Sequence, residues 1–76
     1  MSWHDHIEVN SAVLVGKPIV RGTRVAVEFV LELLAEGVTE HEVLDNYPNL
    51  THDAVLACIA YATELVRDER AYPLNA

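Results

Sequence analysis

The chain lacks the features that mark secreted and membrane-spanning proteins. It has a single cysteine, Cys58, among 76 residues, so no disulfide framework can stabilise it within one chain. Its first residues lack the basic start and apolar core of a signal peptide, and no apolar run approaches the length that a membrane crossing requires. We therefore expect a soluble cytoplasmic protein with no membrane partner.

Positive charge is also scarce, and it is unevenly placed. Five Lys and Arg residues face twelve Asp and Glu residues, for a net charge of −7. Residues 1–27 hold three cations against two carboxylates, a balance of +1, whereas residues 28–76 hold two cations against ten carboxylates, a balance of −8. The acidic part is expected to repel nucleic acid and membrane surfaces and could attract a basic protein.

The length allows one domain, 1–76, which we divide into a β-arm at 3–26, a three-helix unit at 27–70 and a flexible tail at 71–76. The fold class is therefore mainly α. A domain this small has a marginal core, yet 51% of its residues are hydrophobic. This surplus of apolar side chains suggests a partner, most simply a second copy of the chain.

The arm is predicted from alternation and turn residues. Ile7–Val9 alternates apolar and polar side chains, and Pro18 begins a β-branched pair at an edge or strand start because it has no N–H to donate. Gly22 lies in a tight turn or bulge, where its freedom to adopt positive φ is useful. We expect Asn10 and Ser11 to form a turn that leads into the apolar run 12–15.

Three helices follow, each with a start or stop signal. The first spans about 27–36 and ends at Gly37. The second begins at the capping box formed by Thr39 and Glu42, and the third begins at Thr51 and runs to about 67–70. Helical spacing predicts this core face for the third helix: Val55, Ile59, Ala62 and Val66.

The basic segment from Gly16 to Val25 is the main candidate site. Phosphate binding uses Lys or Arg beside backbone N–H groups that glycine-containing turns present. The candidate DNA-binding residues are Lys17, Arg21, Thr23 and Arg24. The alternative is an arm that pairs with another chain while the acidic helices satisfy its arginines. The candidate dimer-interface residues are Ile19, Val20, Phe29 and Leu33.

The second and third helices have the order of a helix-turn-helix, but their side chains do not favour base readout. A recognition helix contacts base edges near its N-terminus, where this chain offers His52 and Asp53. The carboxylate would repel phosphates, and the third helix has no cation before Arg67. We expect any DNA contact to lie elsewhere, in the basic segment.

Metal and catalytic sites have little support. His4 and His6 could share one face of an extended segment, but we interpret them as incidental surface residues. Cys58 lies in an apolar run and is interpreted as a small core residue. The carboxylates of the helical part are spread along solvated faces. We expect no metal, no cofactor and no enzymatic activity.

Several segments, in order, resemble domain of unknown function family 433. The matching segments are Gly16–Val25 with its Gly-x-Pro and Gly-Thr-Arg elements, Glu36–Thr39, Glu42–Leu44, Tyr47–Thr51 and Ala60–Ala62. The resemblance covers about residues 5–66. It departs from the family at Ala26, where relatives often have proline.

The resemblance implies a homeodomain-like three-helix unit with a β-arm, commonly dimeric. It also implies similarity to antitoxins of the VapB type, which bind a PIN-domain ribonuclease toxin and repress their own operon through DNA. From this we expect an antitoxin of a type II pair that binds a PIN-like ribonuclease and operator DNA as a homodimer. The alternative is a homodimeric interaction module that binds no DNA.

Overall fold

The computed structural model describes residues 2–9 and 16–68, and it confirms the predicted mainly α fold class. A 3₁₀ turn leads into a short sheet, which three helices follow. Their bounds are Trp3–Asp5 for the 3₁₀ turn, Ile7–Val9 for strand β1, Pro18–Val20 for β2, Val27–Ala35 for helix α1, Glu40–Asn46 for α2 and His52–Asp68 for α3. The predicted turn at Asn10, the apolar run 12–15 and the tail 71–76 lie outside the described residues.

The arm is a two-stranded antiparallel sheet. Ile7 pairs with Val20 and Val9 pairs with Pro18, so the proline is the first residue of β2, as its missing N–H requires. Ile19 also forms an antiparallel bridge to Ala26 on the far side of the next turn. The sheet therefore runs directly into α1 and is packed against it.

Helix α1 ends at Ala35, and Gly37 supplies the C-terminal stop that the sequence predicts. This glycine has a φ of +94°, in the left-handed region that other residues rarely adopt. Its N–H donates to the carbonyl of Leu34 at 3.0 Å, and the N–H of Val38 donates to the carbonyl of Leu33 at 3.1 Å. These two bonds form a Schellman motif, which turns the chain sharply toward α2.

Helix α2 begins at the predicted capping box. The Thr39 hydroxyl accepts from the N–H of Glu42 at 3.2 Å, and the Glu42 carboxylate accepts from the N–H of Thr39 at 3.2 Å. The hydrogen bonds from Thr39 hold the pKa of the Glu42 carboxyl below its usual range. Two of the N–H groups that a helix start leaves unpaired are thereby satisfied.

The core lies between the sheet and the three helices. Its fully buried members come from α1, α2 and the first half of α3, and the largest are Val30, Val43, Val55 and Cys58. Trp3 and Tyr61 are half-buried against this core from the outside. Within residues 2–9 and 16–68, no helix has the length and apolarity needed to cross a membrane.

The predicted core face of α3 is correct at one end and wrong at the other. Val55 is 1% exposed, but Ile59 is 44% exposed and Val66 is 64% exposed. At 1.5 Å per residue α3 is about 26 Å long, whereas α1 is about 14 Å and α2 is shorter still. The shorter helices bury the proximal half of α3, residues 52–58, whereas the distal half, residues 59–68, keeps one face open.

Candidate functional site

The basic turn, residues 20–25, is a tight hairpin built by its own backbone. The N–H of Val20 donates to the carbonyl of Val25 at 2.9 Å, and the N–H of Thr23 donates to the carbonyl of Val20 at 3.0 Å. Gly22 has a φ of +81°, so the turn depends on a residue without a side chain at this position. The hairpin presents Arg21 and Arg24 on an exposed loop.

Thr23 is a structural residue of this turn. Its hydroxyl donates to the carbonyl of Val20 at 2.7 Å and accepts from the N–H of Val25 at 2.9 Å. The hydroxyl's donor and one of its acceptor sites are therefore used inside the hairpin. Of the four candidate DNA-binding residues, Thr23 therefore has the fewest free hydrogen-bonding sites for a ligand.

Arg21 connects the turn to the N-terminal segment. Its Nη2 donates to the carbonyls of His4 at 3.2 Å and Ile7 at 3.3 Å, and its backbone N–H donates to the carbonyl of His6 at 2.7 Å. A guanidinium has five N–H donors in a fixed plane. Anchoring at one nitrogen therefore fixes the direction of the group and leaves donors on its other nitrogens.

Lys17 and Arg24 differ in their surroundings. Lys17 Nζ lies 2.5 Å from Glu28 Oε1 on the surface, and the hydrogen bond to Glu28 raises the pKa of the Lys17 ammonium. Arg24 is exposed, and no hydrogen bond or ion pair to it occurs among residues 2–9 and 16–68. Lys17 also lies across the length of β2 from the turn, roughly 13 Å away at 3.3 Å per residue.

The four candidate dimer residues do not form one surface. Ile19 is 2% exposed and Val20 is 4% exposed within a single chain, so their side chains have almost no area for a second copy. Leu33 is half-buried against the core. Phe29 is exposed at the rim of α1, where its ring meets Tyr47 edge-on with centroids 5.4 Å apart.

The His4 ring is held by its neighbours in the N-terminal turn. The His4 ring stacks on Trp3 with centroids 3.7 Å apart, and its Nδ1 lies 2.8 Å from the Ser2 hydroxyl. Within the part of the chain that the structure describes, no three His, Cys, Asp or Glu side chains are placed to hold a metal ion.

The N-terminal turn docks on α3 through contacts that were not predicted from the sequence. The Trp3 ring meets the Tyr61 ring edge-on at 4.8 Å, and Trp3 Nε1–H donates to the Glu64 carboxylate. These partners are about sixty residues apart in the chain, so no local pattern indicates the contact. Beside it, a groove between α1 and α3 is lined by apolar side chains that include Leu31, Ala62 and Leu65.

Together, the sheet, the basic turn and the three helices define a small mainly α domain with an arginine-bearing hairpin. The family model described as "Protein of unknown function (DUF433)" matches residues 7–62. This match spans most of the chain, which therefore belongs to the DUF433 family. The sequence resemblance is thereby confirmed.

A solved structure shows the same fold. The crystal structure of a DUF433 member protein from Anabaena variabilis ATCC 29413 is similar, with a TM-score of 0.75 and 27% sequence identity. The likeness covers 82% of this chain and 61% of that chain, so the present chain spans about three fifths of its relative's length. A search of curated proteins gives no match.

Proposed function

We propose that this cytoplasmic protein is the antitoxin of a type II toxin–antitoxin pair, binding a PIN-like ribonuclease toxin and, as a homodimer, operator DNA. The observation that carries the proposal is the separation of charge. Two exposed arginines, Arg21 and Arg24, lie together on the basic turn, whereas Arg67 is an isolated exposed cation of α3 and the carboxylates lie mostly on the helices. Two surfaces of opposite sign suit two different partners, a nucleic acid and a basic protein.

The DNA contact is assigned to the two arginines of the basic turn. The anchored guanidinium of Arg21 has lost much of its freedom before any ligand arrives, which lowers the entropy cost of binding a phosphate. Arg24 stands beside it on the same exposed turn. Lys17 contributes less, because Glu28 offsets its charge at 2.5 Å.

The toxin contact is assigned to the acidic face of α1. Glu32 and Glu36 are exposed and lie four residues apart, on one side of the helix. Carboxylates in this position attract a cationic surface and accelerate association with it. A ribonuclease that binds RNA presents such a surface.

A binding role agrees with the state of the chain's thiol. Cys58 has no exposed surface, and burial raises the pKa of its thiol to about 11. A catalytic thiol instead needs access and a lowered pKa. We therefore propose a binding protein and not an enzyme.

Fluorescence anisotropy with a labelled duplex from the gene's own upstream region tests the DNA contact. We expect specific binding whose affinity falls steeply as salt is raised. Arg24→Ala should lower the affinity and reduce the salt slope by about two, since the homodimer loses one phosphate contact in each protomer. The control is Lys17→Ala, which removes a cation whose charge Glu28 already offsets and should change binding less. Equal losses in both variants would contradict the assignment.

Inhibition of the ribonuclease encoded beside this gene tests the toxin contact. The double variant Glu32→Gln/Glu36→Gln should bind the toxin more slowly and inhibit it less. Asp5→Asn/Glu8→Gln removes the same number of carboxylates from the arm and should inhibit normally. Full inhibition by the helix variant would contradict the proposal.

A second candidate is a homodimeric interaction module that binds no DNA. The observation in its favour is that Thr23 and part of Arg21 are used to hold the hairpin together. In that case anisotropy would stay flat even at low salt, while the folded protein still associated with itself. The DNA experiment therefore separates the two candidates.

A further inference from the structure

The distal half of α3 has an uncovered apolar stripe. Of the large hydrophobic side chains exposed in the described part of the chain, three belong to this segment of α3: Ile59 at 44%, Leu65 at 51% and Val66 at 64%. Leu31 of α1 continues the surface, because it lines a second groove together with Ile59 and Val66. Clustered apolar exposure of this kind marks an association surface more than scattered residues do.

Three polar groups on and around this stripe already have partners within the chain. The Thr63 hydroxyl donates to the carbonyl of Ile59 at 2.8 Å. Because its proton is already used within the helix, a partner that covers Thr63 does not leave this donor unpaired. At the borders, Glu28 is paired with Lys17 and Glu64 accepts from Trp3. Arg67 adds an exposed cation at the distal end of this groove, but the rest of the surface is apolar, so a largely apolar partner would fit.

The order of side chains along the stripe is the same from either end. Ile59, Ala62, Thr63 and Val66 are symmetric in size about the point between Ala62 and Thr63, with large residues outside and small ones inside. If two such helices pack antiparallel, Ile59 of one copy faces the partner's Val66. The small residues then meet at the crossing point and allow close approach of the helices. Such self-complementarity is the requirement of an isologous two-fold interface.

We propose that two copies of this chain associate through the distal halves of their α3 helices, packed antiparallel around a two-fold axis between Ala62 and Thr63. The inference deepens the homodimer of the proposed function by naming its face, and it rests on neither DNA nor toxin binding. It also moves the interface away from Ile19 and Val20, which are buried within each chain.

The net charge of −7 gives the interface a characteristic salt dependence. Two acidic chains repel each other, and salt screens that repulsion. Added salt should therefore strengthen the dimer, whereas it should weaken DNA binding. Because salt has opposite effects on dimerisation and on DNA binding, the failure of one proposal can be distinguished from the failure of the other.

Sedimentation velocity over a range of protein concentrations gives the first test. We expect the wild-type chain to be a dimer that dissociates on dilution, and Val66→Glu to shift the midpoint at least tenfold toward higher concentration. Val9→Glu is the matched control, because Val9 is 61% exposed and Val66 is 64% exposed. It should dimerise like the wild type. Circular dichroism should show that both variants fold.

A crosslinking experiment tests the geometry. Ala62→Cys places a thiol beside the proposed axis, so mild oxidation should yield a covalent dimer, while Val9→Cys should give much less. The native Cys58 should not compete, since it is fully buried. A monomeric wild type overturns both this inference and the proposed homodimer. A wild-type dimer that survives Val66→Glu, or that fails to crosslink through Ala62→Cys, overturns the α3 interface alone.

Discussion

Val55 and Val66 are the same residue type on the same face of one helix, about three turns apart, yet their surroundings are opposite. Val55 is 1% exposed and Val66 is 64% exposed. The first meets the core formed with α1 and α2, and the second lies at an open groove that Leu31 of α1 also lines. The proximal half of α3 thus builds the core, while the distal half holds the N-terminal turn on one face and leaves another face exposed.

The difference shows what a periodic pattern can predict. Apolar residues at helical spacing identify a face that avoids water, but they do not tell how far along the helix the covering surface extends. That distance depends on the lengths of the other helices. A face that continues beyond its covering elements is a surface for a partner.

The largest expected effect concerns the reactivity of the thiol in the proximal half of α3. Cys58 lies in the proximal half with no exposed surface, and its thiol pKa is raised to about 11 from 9.0. The thiolate population at pH 8 should therefore be roughly a hundredfold lower than for an exposed thiol. We expect alkylation at least this much slower in the folded protein than in urea. Rapid stoichiometric labelling of the native chain would mean that the proximal half is open.

The second prediction compares matched truncations. Val55→Ala should lower the free energy of unfolding by about 2 kcal/mol, since it removes two buried methyl equivalents and leaves a cavity. Val66→Ala should change it by less than about 0.5 kcal/mol at dilutions that favour the monomer. Urea unfolding of both variants measures the difference. Equal costs would show that the two halves are equally buried.

Much of the local structure was predictable because its signals lie close together in sequence. The capping box at Thr39 and the stop at Gly37 each depend on neighbouring residues, and both are confirmed. The strand start at Pro18 follows in the same way from its missing N–H.

The candidate site was less predictable, because its contacts join distant segments. The bonds of Arg21 to the carbonyls of His4 and Ile7 depend on the register of the sheet. The docking of Trp3 on Tyr61 depends on the whole fold. The distribution of charge along the sequence identifies a basic segment. It does not show which of its cations are bound to other groups of the same chain.

The third prediction compares two threonines of α3. The Thr51 hydroxyl accepts from the N–H of Ala54 at 3.1 Å and caps the helix, so Thr51→Ala should cost about 1 kcal/mol of unfolding free energy. The Thr63 hydroxyl only donates to a carbonyl within the helix, and alanine is the better helix former. Thr63→Ala should lie within about 0.5 kcal/mol of the wild type. Thermal unfolding of both variants measures which substitution is more destabilising. A larger loss of stability in Thr63→Ala than in Thr51→Ala would contradict the prediction.

The smallest effect concerns pH at the start of α3. His52 Nδ1 lies 2.6 Å from Glu40 Oε2, and this hydrogen bond raises the pKa of the His52 imidazole. Because the folded pKa is the higher one, the stabilisation is complete below about pH 6.5, the ordinary histidine pKa, and is lost as the pH rises through the folded value. Urea midpoints at pH 5.5 and 8.5 should show this slope in the wild type and a weaker one in Glu40→Gln. An unchanged slope would exclude the pair as its source.

Methyl NMR spectra recorded across a dilution series test the central claim, that the two halves of α3 have separate roles. With Ile and Val methyl groups labelled, the signals of Ile59 and Val66 should shift as the protein is diluted, because they leave an interface. The signals of Val55 should stay in place, because its surroundings belong to the single chain. Constant Val66 signals over a range in which sedimentation shows dissociation would contradict the account.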